Sequence, residues 1–195
     1  MRISGGKAKG IKLRIPKGSP LRPAAEPVRE RLFSSLGDLV SGAKFLDLFA
    51  GTGSYGLEAL SRGAESGAFI EQDVNTASCL RNNLTAVCKS ANVSPDSFEV
   101  ISGDALRTTP RQSGSFDLIF ADPPYAILMK IAPKLFARIL GDGLAHKSSL
   151  LILELPGEVE LDAEGWQCER RLGKARKGVP TLALFRPTSV RAEQR

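Results

Sequence analysis

Four short stretches combine acids with glycine, proline or an aromatic ring: "DLFAGTGSYG" from Asp47, "FIEQD" from Phe69, "SGDA" from Ser102 and "FADPPYA" from Phe120. The last is the most constrained. Proline cannot donate a ladder hydrogen bond, so an apolar strand must stop at Pro123. Turn chemistry alone would account for that stop. The pair Pro123-Pro124 also fixes the Asp122 carboxylate, the Pro123 carbonyl and the Tyr125 ring around one stiff corner, as a preorganised site requires. Two fixed acceptors can take hydrogen bonds from both N–H groups of an amine while its nitrogen becomes tetrahedral. Tyr125 offers a stacking face for a planar base, a contact worth roughly 1–3 kcal/mol.

Gly51, Gly53 and Gly56 form G-x-G-x-x-G after an apolar strand and at the opening of a helix. A dinucleotide site uses this spacing for close pyrophosphate approach, with an acid about 20 residues on for the ribose. Glu71 stands 20 residues after Gly51, so spacing alone allows that reading. Asp47 tips the choice. It interrupts the apolar strand four residues before Gly51, where it can order the glycine loop or receive an ammonium group. No Arg or Lys occurs from Phe45 to Ser61. Backbone N–H groups can bind phosphates by themselves, but this loop better suits a cofactor with a cationic amino-acid end.

The elements that must position these residues alternate. "KFLDLF" (44–49), "GAFIEQ" (67–72), "FEVISG" (98–103), "FDLIFA" (116–121) and "SLLILEL" (149–155) read as buried strands. Helices are predicted from Pro27 to an exit at Gly42, over "SYGLEALSRG", over "NTASCLRNNLTAVCKS", and over "ILMKIAPKLFARIL" with Pro133 breaking or restarting it. "WQCERRL" and "PTLALFR" suit a terminal antiparallel hairpin, and "PTSVRAEQR" a frayed tail. This pattern predicts an α/β domain over 26–187 with a mainly parallel sheet and helices on both faces. Ahead of it, residues 1–25 read as a basic hairpin, with glycines supplying the turn and Ile11, Leu13 and Ile15 alternating, then a proline-punctuated connector. In such sheets ligands bind beyond the carboxyl ends of the strands, where all four stretches fall.

The chain of 195 residues has three cysteines, no CxxC pair and one histidine, His146, which reads as a loop residue. A disulfide framework, a multi-histidine metal site and a Ser-His-Asp triad are disfavoured, and the reducing cytoplasm is the expected compartment. No apolar run reaches the roughly 18–20 residues of a membrane helix. The net charge of +6 is concentrated: residues 1–31 hold nine Lys/Arg against Glu26 and Glu30, about +7, which leaves the rest near −1. A basic run is often a solvated face, but this concentration favours a polyanionic partner.

With Asp47, Glu71 and Asp104 at successive strand ends and a D-x-F-x-G-x-G run, the chain resembles the class I S-adenosylmethionine-dependent methyltransferases. The resemblance implies a Rossmann-like α/β fold with a seven-stranded sheet, and S-adenosyl-L-methionine as cofactor. It places Asp47 through Gly53, Phe49 and Gly51 among them, against the methionine and ribose. It gives Glu71 the ribose hydroxyls and Asp104 the adenine amine, with Gln72 and Ala105 beside them. "DPPY" resembles the [DN]-PP-[YF] motif of amino-group methyltransferases acting on adenine N6, cytosine N4 or guanine N2. That implies a catalytic corner of Asp122, Pro123, Pro124 and Tyr125. The target base must be unstacked or looped out to reach it.

"MRISGGKAKGIKL", "LRPAAEPVRERLFSSL", "LDLFAGTGSYGLEALSRGA", "FIEQD" and "FADPPY" are similar, in order and spacing, to the bacterial RsmD family. That resemblance implies guanine-N2 methylation of small-subunit (16S) ribosomal RNA. The expected partner is that RNA or a small-subunit assembly intermediate, and the expected protein is a monomer without a metal. It gives the basic segment (Lys7, Lys9, Lys12, Arg14, Lys17 and Arg22) the RNA phosphates. Ala24 departs from the family's "RPT", which puts a hydroxyl contact there in doubt. The rival readings are an adenine-N6 enzyme on DNA or RNA, a non-catalytic RNA-binding module and an NAD-dependent oxidoreductase.

Overall fold

The computed structural model describes residues 1–16, 26–112 and 114–188. Lys17, Arg22 and Ala24, the connector at 17–25 and the tail from 189 onward lie outside the described residues. The chain divides into two compact units, Met1–Gln112 and Ser113–Arg195.

In the first unit, β1 (Lys44–Leu48), β2 (Ser66–Glu71) and β3 (Phe98–Ser102) pair in parallel in the order β3-β2-β1. The register sets Leu48 beside Ile70 and Glu71 beside Ser102, so the carboxyl ends of the three strands share one edge. β1 and β2 are buried on both faces, as their near-continuous apolar runs require, whereas β3, expected to be buried, is the sheet's edge strand and buries only Phe98. Helices α1 (Glu26–Leu36), α2 (Gly56–Ser61) and α3 (Val74–Ala91) complete the unit. Asp73 caps α3 by accepting the Thr76 N–H at 2.8 Å, and Asn92 ends it in the left-handed region. α1 ends at Leu36, earlier than the expected exit at Gly42, and a 3-10 turn over Gly37–Val40 carries Val40 into the core. Gly37, at φ 53°, supplies the left-handed residue that stops the helix.

The basic N-terminal segment closes as the expected short hairpin: Arg2 bridges Lys12 antiparallel, the Ile3 N–H donates to the Ile11 carbonyl at 2.9 Å, and the Gly10 N–H donates to the Ile3 carbonyl at 2.9 Å. It buries Ile3, Ala8 and Leu13, whereas Ile15 is exposed, so the expected alternation stops at Leu13. Gly6 (φ 76°) and Gly10 (φ 90°) lie in the turn, and Gly6 also allows close approach, because a Cβ there would fall 1.9 Å from the Ser61 carbonyl oxygen. The Lys7 N–H donates to that carbonyl at 2.7 Å, so the segment is packed onto the end of α2.

In the second unit, β4 (Phe116–Ala121) runs parallel to β5 (Ala145–Pro156). β5 pairs antiparallel with β7 (Pro180–Pro187), and β7 with β6 (Trp166–Leu172), which is the expected terminal hairpin. Helix α4 (Tyr125–Gly141) is continuous through Pro133, where a break was expected. Proline costs about 3 kcal/mol in a helix interior. Burial of Leu128, Ile131, Ala132, Leu135, Phe136 and Ile139 on one face offsets that cost. Phe136 packs edge-on against Trp166 and Phe185 at 5.6 and 4.9 Å between centroids. His146 is in β5 rather than a loop, with Nε2 3.0 Å from Asp117 Oδ1. The seven strands include only two antiparallel pairings among the described residues, in keeping with the expected mainly parallel α/β architecture.

Candidate functional site

The predicted cofactor residues of the first unit gather at the carboxyl edge of β1, β2 and β3. Asp47 is the fourth residue of β1, is 2% exposed, and accepts the Gly56 N–H at 2.8 Å. Of the two roles open to it, ordering the glycine loop is the one visible here. Burial pushes its carboxyl up to about 7; the Gly56 hydrogen bond opposes the shift and the Glu71 charge adds to it.

After β1 the chain turns, with the Gly53 N–H donating to the Ala50 carbonyl at 2.8 Å. Phe49 adopts φ 60°, a conformation uncommon for a non-glycine residue and one that tends to mark functional sites. Gly51 (φ 56°) faces open space, half-exposed. Gly53 (φ 90°) has no room for a side chain: a Cβ would meet Leu80 at 2.3 Å and Leu57 at 2.8 Å. Gly56 lets α2 approach the sheet, because a Cβ there would lie 2.3 Å from Phe69 and 2.6 Å from Phe45.

Glu71 ends β2. Its Oε2 accepts the Gly51 N–H at 2.7 Å and its Oε1 accepts the Asp73 N–H at 2.8 Å. The spacing of 20 residues therefore closes into a direct contact. Each carboxylate oxygen carries a second lone pair that can take a ligand hydroxyl. Gln72 is exposed beside it. Asp104 follows β3, half-exposed, with Oδ1 accepting the Leu106 N–H at 2.9 Å, and Ala105 is buried next to it. Asp47, Phe49, Gly51, Gly53, Glu71 and Asp104 thus share one edge.

In the second unit the "DPPY" corner joins β4 to α4. Asp122 is half-buried, Pro123 buried and Pro124 exposed; the Pro124 carbonyl accepts the Ile127 N–H at 3.0 Å and opens the helix. Tyr125 is 41% exposed, so its ring is accessible. Its hydroxyl donates to Glu154 Oε1 at 3.3 Å. Burial of the hydroxyl end first, then the Glu154 and Asp122 charges, push its ionisation well above the usual phenol range. The hydroxyl remains a donor.

Glu154, 7% exposed near the end of β5, escaped the sequence reading. The signal was the one that marked Asp47: an acid interrupting an apolar strand, in "LLILELP". Of the basic residues, Lys7, Lys9, Lys12 and Arg14 are described, and all four are exposed. No group of three or more His, Cys, Asp or Glu side chains able to hold a metal occurs among the described residues. No helix among them is long and apolar enough to cross a membrane.

This architecture is the class I methyltransferase fold. An Escherichia coli protein of known structure superposes with a TM-score of 0.78 at 28% identity, over 96% of this chain and 97% of that one. A Thermus thermophilus protein gives 0.71 at 30%, over 94% and 98%. The RNA methyltransferase from Salinibacter ruber, solved with S-adenosyl-L-homocysteine, shares the fold at 0.60 and 20% identity, over 87% and 96%. The family model described as conserved hypothetical protein 95 matches residues 1–185, and the chain belongs to that family, the RsmD family its motifs resembled. Two relatives named ribosomal RNA small subunit methyltransferase D are 38% identical. The Escherichia coli K12 protein matches over 64% of this chain and 60% of its own length. The Haemophilus influenzae protein matches over 64% of each. The matched region thus spans less than two thirds of either relative.

Proposed function

We propose that the chain is an S-adenosylmethionine-dependent methyltransferase acting on ribosomal RNA, with the exocyclic N2 of a guanine in the small-subunit RNA as its target. The supporting observation is the donor set at the edge of β1–β3: two half-exposed carboxylates, Glu71 and Asp104, a buried one, Asp47, and a glycine turn without a basic residue. Such a set fits a ligand with hydroxyl and amine donors and a cationic end, and fits a pyrophosphate poorly. Glu71 would hold the ribose hydroxyls, Asp104 and Ala105 the adenine edge, and Phe49 to Gly53 the amino-acid portion, with Gln72 beside the ribose. S-adenosylmethionine supplies an electrophilic methyl group.

The chain's own contribution is to orient the amine and draw away positive charge. The Asp122 carboxylate and the Pro123 carbonyl accept the two N–H groups, which turns the nitrogen lone pair out of the base ring. Tyr125 stacks on the looped-out base, and Pro124 keeps the corner stiff. The RsmD relationship supplies the choice of guanine N2, and the relatives' names supply ribosomal RNA of the small subunit. Lys7, Lys9, Lys12 and Arg14 engage phosphates, sequence-independently.

Calorimetry with S-adenosylmethionine tests the reading. Binding is expected for S-adenosylmethionine and not for NAD. Glu71→Ala should weaken it by roughly 1–3 kcal/mol, the scale of hydrogen bonds made to a charged group. Tight NAD binding, or an unchanged affinity in Glu71→Ala, would contradict the assignment.

A further inference from the structure

Asn83 lies on the buried face of α3, 2% exposed, among Leu80, Leu84 and Val87. A buried amide costs free energy unless its hydrogen bonds are made. Here they are made to two segments distant in sequence. Oδ1 accepts the Arg14 N–H at 2.8 Å, and Nδ2 donates to the Arg14 carbonyl at 3.1 Å and to the Thr52 carbonyl at 3.1 Å. The two bonds to Arg14 reproduce the paired exchange that a facing strand residue would make. One turn earlier, the Cys79 thiol donates to the same Arg14 carbonyl at 3.2 Å. The amide has a single consistent orientation, because a flipped one would face its oxygen to two carbonyls.

Thr52 lies between Gly51 and Gly53, and Arg14 belongs to the exposed basic segment. One side chain therefore holds both the turn assigned to the cofactor and the backbone that carries the RNA-facing cations. We propose that Asn83 is a positioning residue that couples the two ligands: the cofactor, by ordering the glycine turn, prepares the basic segment for RNA, and RNA does the same for the cofactor. The inference rests on the methyltransferase reading above. Ordering a shared anchor once lowers the entropic cost of the second binding event, and the resulting coupling must be reciprocal. Typical couplings change affinity by about 5–150-fold.

The experiment measures affinity of the full chain for a labelled transcript of small-subunit ribosomal RNA, with and without saturating S-adenosylhomocysteine. It also measures affinity for S-adenosylhomocysteine with and without the transcript. Wild type should show the same enhancement, about fivefold or more, in both directions. Asn83→Ala, and Asn83→Ser as the milder change, should reduce that ratio to less than about twofold. A purely structural amide would lower both affinities and leave their ratio intact, which would overturn the proposal. Wild-type protein that binds both ligands independently would also overturn it, whatever the variants do, so the test survives a variant that fails to fold. Wild-type protein that binds no S-adenosylhomocysteine would overturn the methyltransferase reading first, and this inference with it.

Discussion

Ser4 and Glu58 are joined by two hydrogen bonds, the Ser4 N–H to Oε2 at 2.9 Å and the Ser4 hydroxyl to Oε1 at 2.8 Å, across 54 positions of sequence. Glu58 is fully buried in α2, with Arg62 Nε at 2.8 Å and the equally buried Arg29 Nε at 3.8 Å. Arg29 also donates to the Arg2 carbonyl at 2.6 Å. This polar cluster fixes the N-terminal segment to the first unit. The exposed lysines are therefore carried on a packed segment rather than on a loose arm.

Removing Glu58 should be costly. Glu58→Ala removes the carboxylate beside the buried Arg29 guanidinium and the acceptor of two Ser4 donors, and breaking a buried pair in this way typically costs about 3–5 kcal/mol. Ser4→Ala, which removes one hydroxyl bond, should cost about 1 kcal/mol. Urea unfolding midpoints give both values. A Glu58→Ala variant as stable as wild type would show that the cluster does not anchor the segment.

Asp47 makes stability depend on pH. Its folded pKa, raised to about 7 mainly by burial, exceeds the ordinary carboxyl value, so the folded state binds the extra proton. The stability it contributes is fully present below about pH 4 and is lost as pH rises through about 7. Asp47→Asn keeps an acceptor for the Gly56 N–H and removes the titration. Relative to wild type, the variant should gain on going from about pH 5 to about pH 8, by an amount of the order of 1–4 kcal/mol. Parallel urea titrations at the two pH values check this. Equal gaps at both would mean Asp47 stays ionised throughout.

Much of this was legible in the sequence, for physical reasons that differ between elements. "FDLIFA" has the length and apolar character of a buried strand, and the prolines after it fix its end; β4 is Phe116–Ala121 as expected. The acids at the strand ends were visible because each interrupts or closes an apolar run. What remained hidden depends on partners far away in sequence. Arg29 looked like part of a basic surface, yet it is fully buried, because Glu58 and the Arg2 carbonyl meet it. Asn83 sits in a helical pattern that says nothing of Arg14 or Thr52. Pro133 misled because local propensity takes no account of the six side chains that α4 buries. His146 misled because β5 begins earlier than its apolar run.

The "DPPY" corner should separate catalysis from cofactor binding. Asp122→Ala should slow methylation by roughly a hundredfold or more, on the scale seen when one preorganised electrostatic partner is removed. Affinity for S-adenosylmethionine should remain within a few-fold. Tyr125→Phe retains the stacking face and loses the hydroxyl bond to Glu154, so it should be milder than Tyr125→Ala. Single-turnover rates with saturating cofactor distinguish these. Normal methylation by Asp122→Ala would reduce the corner to a turn.

The last prediction concerns the packed basic segment. Lys7, Lys9 and Lys12 are exposed, while Ile3, Ala8 and Leu13 supply the packing, so charge and anchoring reside in different side chains. Replacing the three lysines with Gln should leave stability within about 0.5 kcal/mol, as for ordinary surface substitutions. RNA affinity should fall, and its dependence on salt should flatten, because each lost phosphate contact lowers the log–log slope by about 0.7–0.9. Affinity for S-adenosylmethionine and preference for guanine should not change, since phosphate contacts position a substrate and base identity is read elsewhere. The measurement is log affinity against log salt for wild type and the triple variant. Identical slopes would assign the lysines to solubility and move the RNA path to the exposed Arg170, Lys174, Arg176 and Lys177 of the β6–β7 hairpin.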